Sequence, residues 1–351
     1  EGYKTFLNLA KTEREACAEV IKEAEAQGYV PFTFGKKLRS GDKVYYNNRG
    51  KNLYLIRVGT ENLAENGVRI VASHIDSPRI DLKQLPLYEK EGIAFGKTHY
   101  YGGLRKYQWA AMPLALHGVV ARKDGSVVNV CVGEQTGEPV FYISDLLPHL
   151  AAKQNQKPLG QAIEGEDLNI WFGNSPFTAA SEEDKRTVKE QLLRILSDAY
   201  GITEADFMSA ELSLVPAFKA CDVGFDRALV GSYGQDDRVC SYAAVRALFE
   251  ESSDVHTTMV ILADKEEIGS EGTTGMQSIL FLDLMEALSD SFGVPSSVVR
   301  AHSKCISADV TAAYDPNYPD VCEKTNAVYL SCGAGMMNFT GERGKSGSND
   351  A

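Results

Sequence analysis

The feature that most constrains the fold is an uninterrupted apolar run, Met259-Val260-Ile261-Leu262-Ala263, set between two stretches of helical periodicity. A strand with no polar alternation offers neither face to water, so both of its faces must be covered. From Asp222 onward the same rhythm repeats, as helix 236–252, strand 255–263, helix 276–290 and strand 303–310. Strands of this kind alternating with helices predict an α/β fold, a mostly parallel sheet covered by helices on both faces. Upstream, residues 3–27 carry apolar positions at helical spacing before Gly28, and Asn47-Asn48-Arg49-Gly50 reads as a hairpin turn between two short strands. Val68-Arg69-Ile70-Val71-Ala72 is a further apolar strand, leading directly into Ser73-His74-Ile75-Asp76-Ser77-Pro78.

Between about residues 92 and 220 the texture changes. Leu116 to Val132 reads as two alternating strands around Lys123-Asp124-Gly125, and a helix is expected near Ser181–Tyr200, with Ser181 and Asp184 spaced as in a capping box. The chain therefore reads as one α/β domain, 1–92 and 222–351, interrupted by an inserted β-rich domain at 93–221. Two domains suit its 351 residues at about 150 residues each. The net charge of -12 argues against non-specific nucleic-acid binding, which needs cations to neutralise phosphates. No stretch approaches the roughly 18 apolar residues of a membrane-spanning helix. Seven scattered cysteines without metal-finger or redox spacing suit reduced thiols and a cytoplasmic location.

Sites in open α/β sheets form beyond the carboxyl ends of the strands. Here those ends carry metal-type ligands: His74 and Asp76 after strand 68–72, Asp264 to Glu267 after strand 255–263, and Asp309 after strand 303–308, while Asp236-Asp237 opens a helix. His74 and Asp76 share one side of an extended chain, so Asp76 can take the second ring N–H of a ligating His74. Adjacent carboxylates at Glu266-Glu267 project differently, which lets one ligate while the other faces a water to be deprotonated. Taken singly, each reading has an ordinary rival. His-x-Asp is also a turn beside Pro78, Glu-Glu a solvated loop, Asp309 a capping residue, and Asp236-Asp237 a pair of charges favouring a helix dipole.

As an ordered set, these segments resemble the aspartyl aminopeptidase family. The matching stretches are Ser73 to Pro78, Gly234 to Arg238, Asp264 to Ser270, Ser307 to Val310, Asp315 to Tyr318 and Gly344 to Ala351. The resemblance implies a metallo-aminopeptidase that removes N-terminal residues from peptides with free N-termini, using two divalent ions, zinc with cobalt or manganese as alternatives. It implies that His74 and Asp309 hold one metal, Glu267 the other, and that Asp236 bridges them, with Asp237 the alternative bridge. Glu266 would be the general base and Asp76 the residue that orients His74. The bond after the bridging aspartate is expected to be cis. A homo-oligomer, typically a dodecamer, is implied too, with His149 a candidate to reach a neighbour's site.

The family takes its last ligand from a histidine beyond Asp350-Ala351, so the chain is expected to be incomplete at its C-terminus. His302 is read as lying on the strand with Asp309, roughly 23 Å away and on the opposite face, and is no substitute. An N-terminal Asp or Glu preference requires a basic group. Residues 327–341 contain none, and Arg343 and Lys345 are the nearest candidates. Broad or neutral specificity, a deacylase, or a non-catalytic scaffold lacking one metal site remain alternatives. A phosphate loop at Gly344-Lys345-Ser346 is excluded because its first glycine would fall at Phe339, and no Gly-x-Ser-x-Gly elbow is present.

Overall fold

The computed structural model describes residues 1–175, 187–340 and 347–348. Helices α1 (Gly2–Leu9) and α2 (Glu13–Ala26) precede β1 (Val30–Pro31) and the hairpin β2 (Lys43–Asn48) and β3 (Asn52–Arg57). A short α3 (Leu63–Asn66) leads to β4 (Arg69–His74). There follow β5 (Arg79–Lys90), β6 (Ile93–Tyr101), β7 (Leu114–Ala121), β8 (Val127–Val132), β9 (Tyr142–Ile143), β10 (Ile170–Gly173), α4 (Val188–Tyr200) and β11 (Ala210–Pro216). A small hairpin, β12 (Cys221–Val223) with β13 (Leu229–Gly231), then gives way to α5 (Gln235–Glu250), β14 (Thr258–Ala263), α6 (Leu280–Ser291), α7 (Ser296–His302) and β15 (Lys304–Ser307).

Two sheets carry the fold, which is mixed α/β. The first has the order β1-β2-β3-β14-β4-β15. Its neighbours β1·β2, β14·β4 and β4·β15 run parallel, while β2·β3 and β3·β14 run antiparallel. Its central strands lack polar alternation because successive residues enter different cores. Leu53, Leu55, Val260 and Leu262 pack with Ala16, Cys17 and Val20 of α2 and with Val245 and Leu248 of α5. Tyr54, Ile56, Met259 and Ile261 pack instead with Leu284 and Leu288 of α6 and Val299 of α7. The second sheet has the order β8-β7-β11-β5-β6-β10-β9 and pairs antiparallel throughout. It takes its first strand from Arg79, so β5 and β6 form a hairpin across residues 91–92.

By compactness the chain divides into residues 1–308 and 309–351. The second unit, taken by itself, has short helical turns at Pro319–Val321 and Lys324–Asn326, a bridge between Ala313 and Val328, and Tyr314 packed against Tyr329.

Several elements differ from expectation for local reasons. The single helix over 3–27 is two, broken at Ala10-Lys11-Thr12, where Thr12 and Glu15 form a reciprocal capping box. Strand 303–310 shortens to Lys304–Ser307, and the preceding α7 was not foreseen. His302 therefore ends a helix instead of sharing a strand with Asp309. The helix expected near 181–200 runs from Val188, capped by Thr187 with Glu190, whereas Ser181 and Asp184 lie outside the described residues. Among the described residues no helix is long and apolar enough to cross a membrane.

Candidate metal centre

The parallel pairing of β4 with β14 sets Ala263 against His74, and the Ile75 N–H donates to the Ala263 carbonyl at 2.8 Å. Register alone therefore brings His74–Asp76 beside Asp264–Glu267. Beyond β14, a single helical turn, Glu266–Ile268, is bounded by left-handed backbone at Lys265 (φ 68) and Gly269 (φ 92). This presents adjacent carboxylates at the strand end, and their N–H groups point back to Asp76. The Glu266 N–H donates to Asp76 Oδ1 and the Glu267 N–H to Asp76 Oδ2, each at 3.2 Å.

Helix α5 supplies the third segment. Gly234 (φ 76) stands before it, where a Cβ would lie 1.6 Å from the Arg238 guanidinium, so only glycine fits. Asp236 and Asp237 have non-helical dihedrals, and the bond between them is cis, the bond expected to be so. Ser77 Oγ donates to the Asp236 carbonyl at 2.6 Å, and Ser241 Oγ to the His74 carbonyl at 2.9 Å. These two hydroxyls tie the start of α5 to the end of β4.

His74 is buried, and its Nδ1 donates to the Asp76 carbonyl at 2.9 Å with Asp76 Oδ1 at 3.3 Å. In the neutral ring that leaves Nε2 with its lone pair. Nε2 faces Asp236 Oδ1 at 3.1 Å and Glu266 Oε2 at 3.8 Å. Asp237, fully buried, brings a carboxylate oxygen within 4.8 Å of a His74 ring nitrogen. Burial opposes the charge of Asp76, but hydrogen bonds from His74 and Tyr101 outweigh it and hold its carboxyl below the usual range. Glu267 behaves oppositely. Burial, then the negative charges of Asp236, Asp76 and Glu266, push it up to about 7 against some relief from His74.

Carboxylates crowded until one resists ionising, beside an imidazole nitrogen with its lone pair outward, are a donor set that fits a divalent cation. A cation relieves the repulsion, and mixed imidazole–carboxylate ligation suits zinc.

Two residues at this centre escaped sequence reasoning. Tyr101, from the end of β6, donates to Asp76 Oδ2 at 2.7 Å. At Gly102 (φ 75) a Cβ would meet Glu267 Cβ and Oε2 at 3.2 Å, tighter than ordinary contact. No local pattern marks either one. Both are brought in by the second sheet. Asp309 is the first residue of the second unit, where its Oδ1 accepts the Val310 N–H at 2.6 Å. His149 lies in an exposed turn. Arg343 and Lys345 lie outside the described residues.

A second cluster, Glu15, His117 and Cys131, also brings its donor atoms within 4.8 Å of one another. Both ring nitrogens of its histidine face carboxylates. His117 Nδ1 donates to Glu15 and Nε2 to Glu134, while Lys219 and Lys11 already bring positive charge to Glu134. Burial disfavours the imidazolium, but hydrogen bonding with Cys131, Glu134 and Glu15 pushes His117 up to about 11.

Fold and site together define a class: a mixed α/β scaffold whose strand ends and one helix start gather carboxylates and an imidazole into a donor set that fits a divalent cation. Residues 6–351 match the family model of aminopeptidase I zinc metalloproteases, M18. A probable M18 family aminopeptidase 1 of Clostridium acetobutylicum is 50% identical, over 100% of this chain and 77% of its own length. The crystal structure of an M18 aminopeptidase from Thermotoga maritima superposes with a TM-score of 0.91 at 41% identity, again covering 100% of this chain and 77% of that one. A Saccharomyces cerevisiae aminopeptidase solved as a dodecamer shares the fold, with a TM-score of 0.74 at 24% identity over 93% of this chain and 75% of that one. The chain belongs to the M18 family of zinc metalloproteases, which are aminopeptidases.

Proposed function

We propose that the protein removes N-terminal residues, Asp and Glu among the candidates, from peptides with a free α-amino group. His74, Asp236, Glu267 and Asp309 would hold two divalent ions, zinc first among zinc, cobalt and manganese, with Asp236, or Asp237 in its place, shared between them. Bound there, the ions supply Lewis acidity toward the scissile carbonyl and lower the pKa of water. Glu266 takes the proton from the attacking water and returns it to the departing amine. Asp76 holds His74 in the tautomer that turns the Nε2 lone pair toward the carboxylates of the centre. The observation that carries this reading is the suspension of the Glu266–Glu267 turn from Asp76 by two backbone N–H groups, with His74 fixed by the same residue. One anchor thus sets base, ligand and ligand-bearing turn relative to each other.

Residues 93–221 are read as an inserted assembly domain interrupting a catalytic domain of 1–92 and 222–351, with β5 reaching from the catalytic side into the insert's sheet. The dodecameric yeast relative supports self-association into a dodecamer, where His149 is assigned to a neighbour's site. A cytoplasmic location completes the reading.

The test is hydrolysis of an aminoacyl panel, with free and blocked N-termini, by the zinc-loaded enzyme and by Glu266→Gln. Loss of a positioned general base lowers kcat by about 10²–10⁴-fold, so Glu266→Gln is expected to fall in that range with KM little changed. Release from neutral residues alone discards the acidic candidates. Release from blocked substrates turns the reading toward a deacylase, and no metal-dependent turnover overturns it.

A further inference from the structure

Asp76 has no exposed surface and is enclosed on all sides by partners. Its Oδ1 faces His74 Nδ1 at 3.3 Å and accepts the Glu266 N–H at 3.2 Å. Its Oδ2 accepts the Glu267 N–H at 3.2 Å and the Tyr101 hydroxyl at 2.7 Å. An ionised carboxylate offers about four acceptor positions, and here three are taken by the two turn N–H groups and the Tyr101 hydroxyl, with His74 Nδ1 standing beside Oδ1 while it donates to the Asp76 carbonyl. Three of these contacts come from β4 and the turn after β14, the elements that build the centre. The shortest comes from Tyr101, at the end of β6 in the other sheet. That ring is itself fixed from behind. The Arg79 guanidinium lies 3.9 Å from its centroid and is anchored to Asp81 at 2.8 Å and Glu13 at 3.2 Å.

We propose that Tyr101 is a positioning residue for peptide hydrolysis: its hydroxyl fixes the plane of the Asp76 carboxylate, and through it the His74 ring and the Glu266–Glu267 turn. Asp76 is sealed from solvent, so no water stands ready to replace a lost hydroxyl. A carboxylate deprived of one partner rotates to share those that remain. Its rotation shifts both turn N–H bonds together with the charge that faces His74 Nδ1 at 3.3 Å. Phenylalanine at 101 keeps the ring and its Arg79 contact and removes only the donor. The inference rests on the proposed roles of His74 and Glu266.

The experiment compares the full-length enzyme with Tyr101→Phe, Asp76→Asn and the double variant, measuring zinc affinity by competition with a chromogenic chelator, and kcat and KM separately. Partners behind a metal ligand typically contribute about 10–100-fold in affinity or activity. Tyr101→Phe is therefore expected to weaken zinc binding and kcat within that range while KM stays close to wild type. The double variant should fall no further than Asp76→Asn alone, because Tyr101 acts through Asp76. Should Phe not fold, 4-fluorophenylalanine, which fills the hydroxyl's space without donating, carries the same expectation. In either case 4-aminophenylalanine, which donates, should recover most of the loss. Unchanged zinc affinity and kcat in the non-donating variant, or losses that multiply in the double variant, overturn the proposal. If the wild type cleaves no peptide, the proposed function falls, while chelator competition still reports on Tyr101.

Discussion

At the scale of single residues, the centre is shaped as much by absent atoms as by the ligands. Gly102 has φ 75, and a Cβ there would sit 3.2 Å from Glu267 Cβ and Oε2 and 3.4 Å from Pro78 Cα. A non-glycine residue in the left-handed region costs about 1–2 kcal/mol, and the new methyl crowds the Glu267 side chain, which must give way by a few tenths of an ångström. Misplacement of catalytic groups by 1 Å can cost about 10²-fold in rate. Gly102→Ala is therefore expected to lower kcat/KM by at least ~10-fold while its thermal midpoint falls by only ~2–4 °C. Gly103, where a Cβ would meet nothing within 4 Å, is the control, and Gly103→Ala should stay near wild type in both. Equal activities for the two variants would remove Gly102 from the site. That His74, Asp76, Glu266 and Glu267 come together was legible in the sequence because strand-end position and acidic or imidazole chemistry coincide there, and Asp236, at the start of α5, joins them. Gly102 and Tyr101 were not legible, because their importance lies in what a distant strand packs against.

At the scale of elements, the apolar strands were the most legible features. Continuous runs such as Met259–Ala263 admit few alternatives once both faces must be buried. Elements whose boundaries rest on side-chain caps were read less well. Residues 3–27 carry one apolar stripe, yet the helix breaks where buried Lys11 turns inward to donate to the carbonyls of Pro216 at 3.1 Å and Phe218 at 2.7 Å. The signal was present in Thr12-x-x-Glu15, since the Thr12 N–H donates to Glu15 Oε2 at 2.9 Å and the Glu15 N–H to Thr12 Oγ1 at 3.3 Å. Periodicity averaged over the segment hides such a break. Helix α7, with seven residues, is too short to show a period at all. Losing an N-cap typically costs about 1 kcal/mol, so Thr12→Ala should lower unfolding free energy by that amount in urea, with little change in KM. A change below ~0.3 kcal/mol would mean that Glu15 holds the helix start without the threonine.

At the scale of the whole molecule, helix α2 is joined to the second sheet by an ion cluster centred on the buried His117 as well as by chain connectivity. His117 of β7 reaches Glu15 of α2 at 2.7 Å and Glu134 beyond β8 at 3.1 Å. Around it stand Cys131 on β8, Lys11 between the first two helices, and Lys219 after β11. The folded state holds the His117 proton up to about pH 11, whereas an unfolded histidine releases it near about 6.5. The raised pKa makes this contribution complete below about pH 6.5, and it declines as pH rises toward 11. For one proton the decline approaches about 1.4 kcal/mol per pH unit. Removing one member of a buried ion cluster costs about 3–5 kcal/mol, so His117→Gln should be destabilised by roughly that much near pH 6. The gap from wild type should then narrow at pH 8 and again at pH 9, measured by urea unfolding at each pH. A gap independent of pH would show that His117 is neutral in the fold, leaving hydrogen bonding and packing to join the helix to the second sheet.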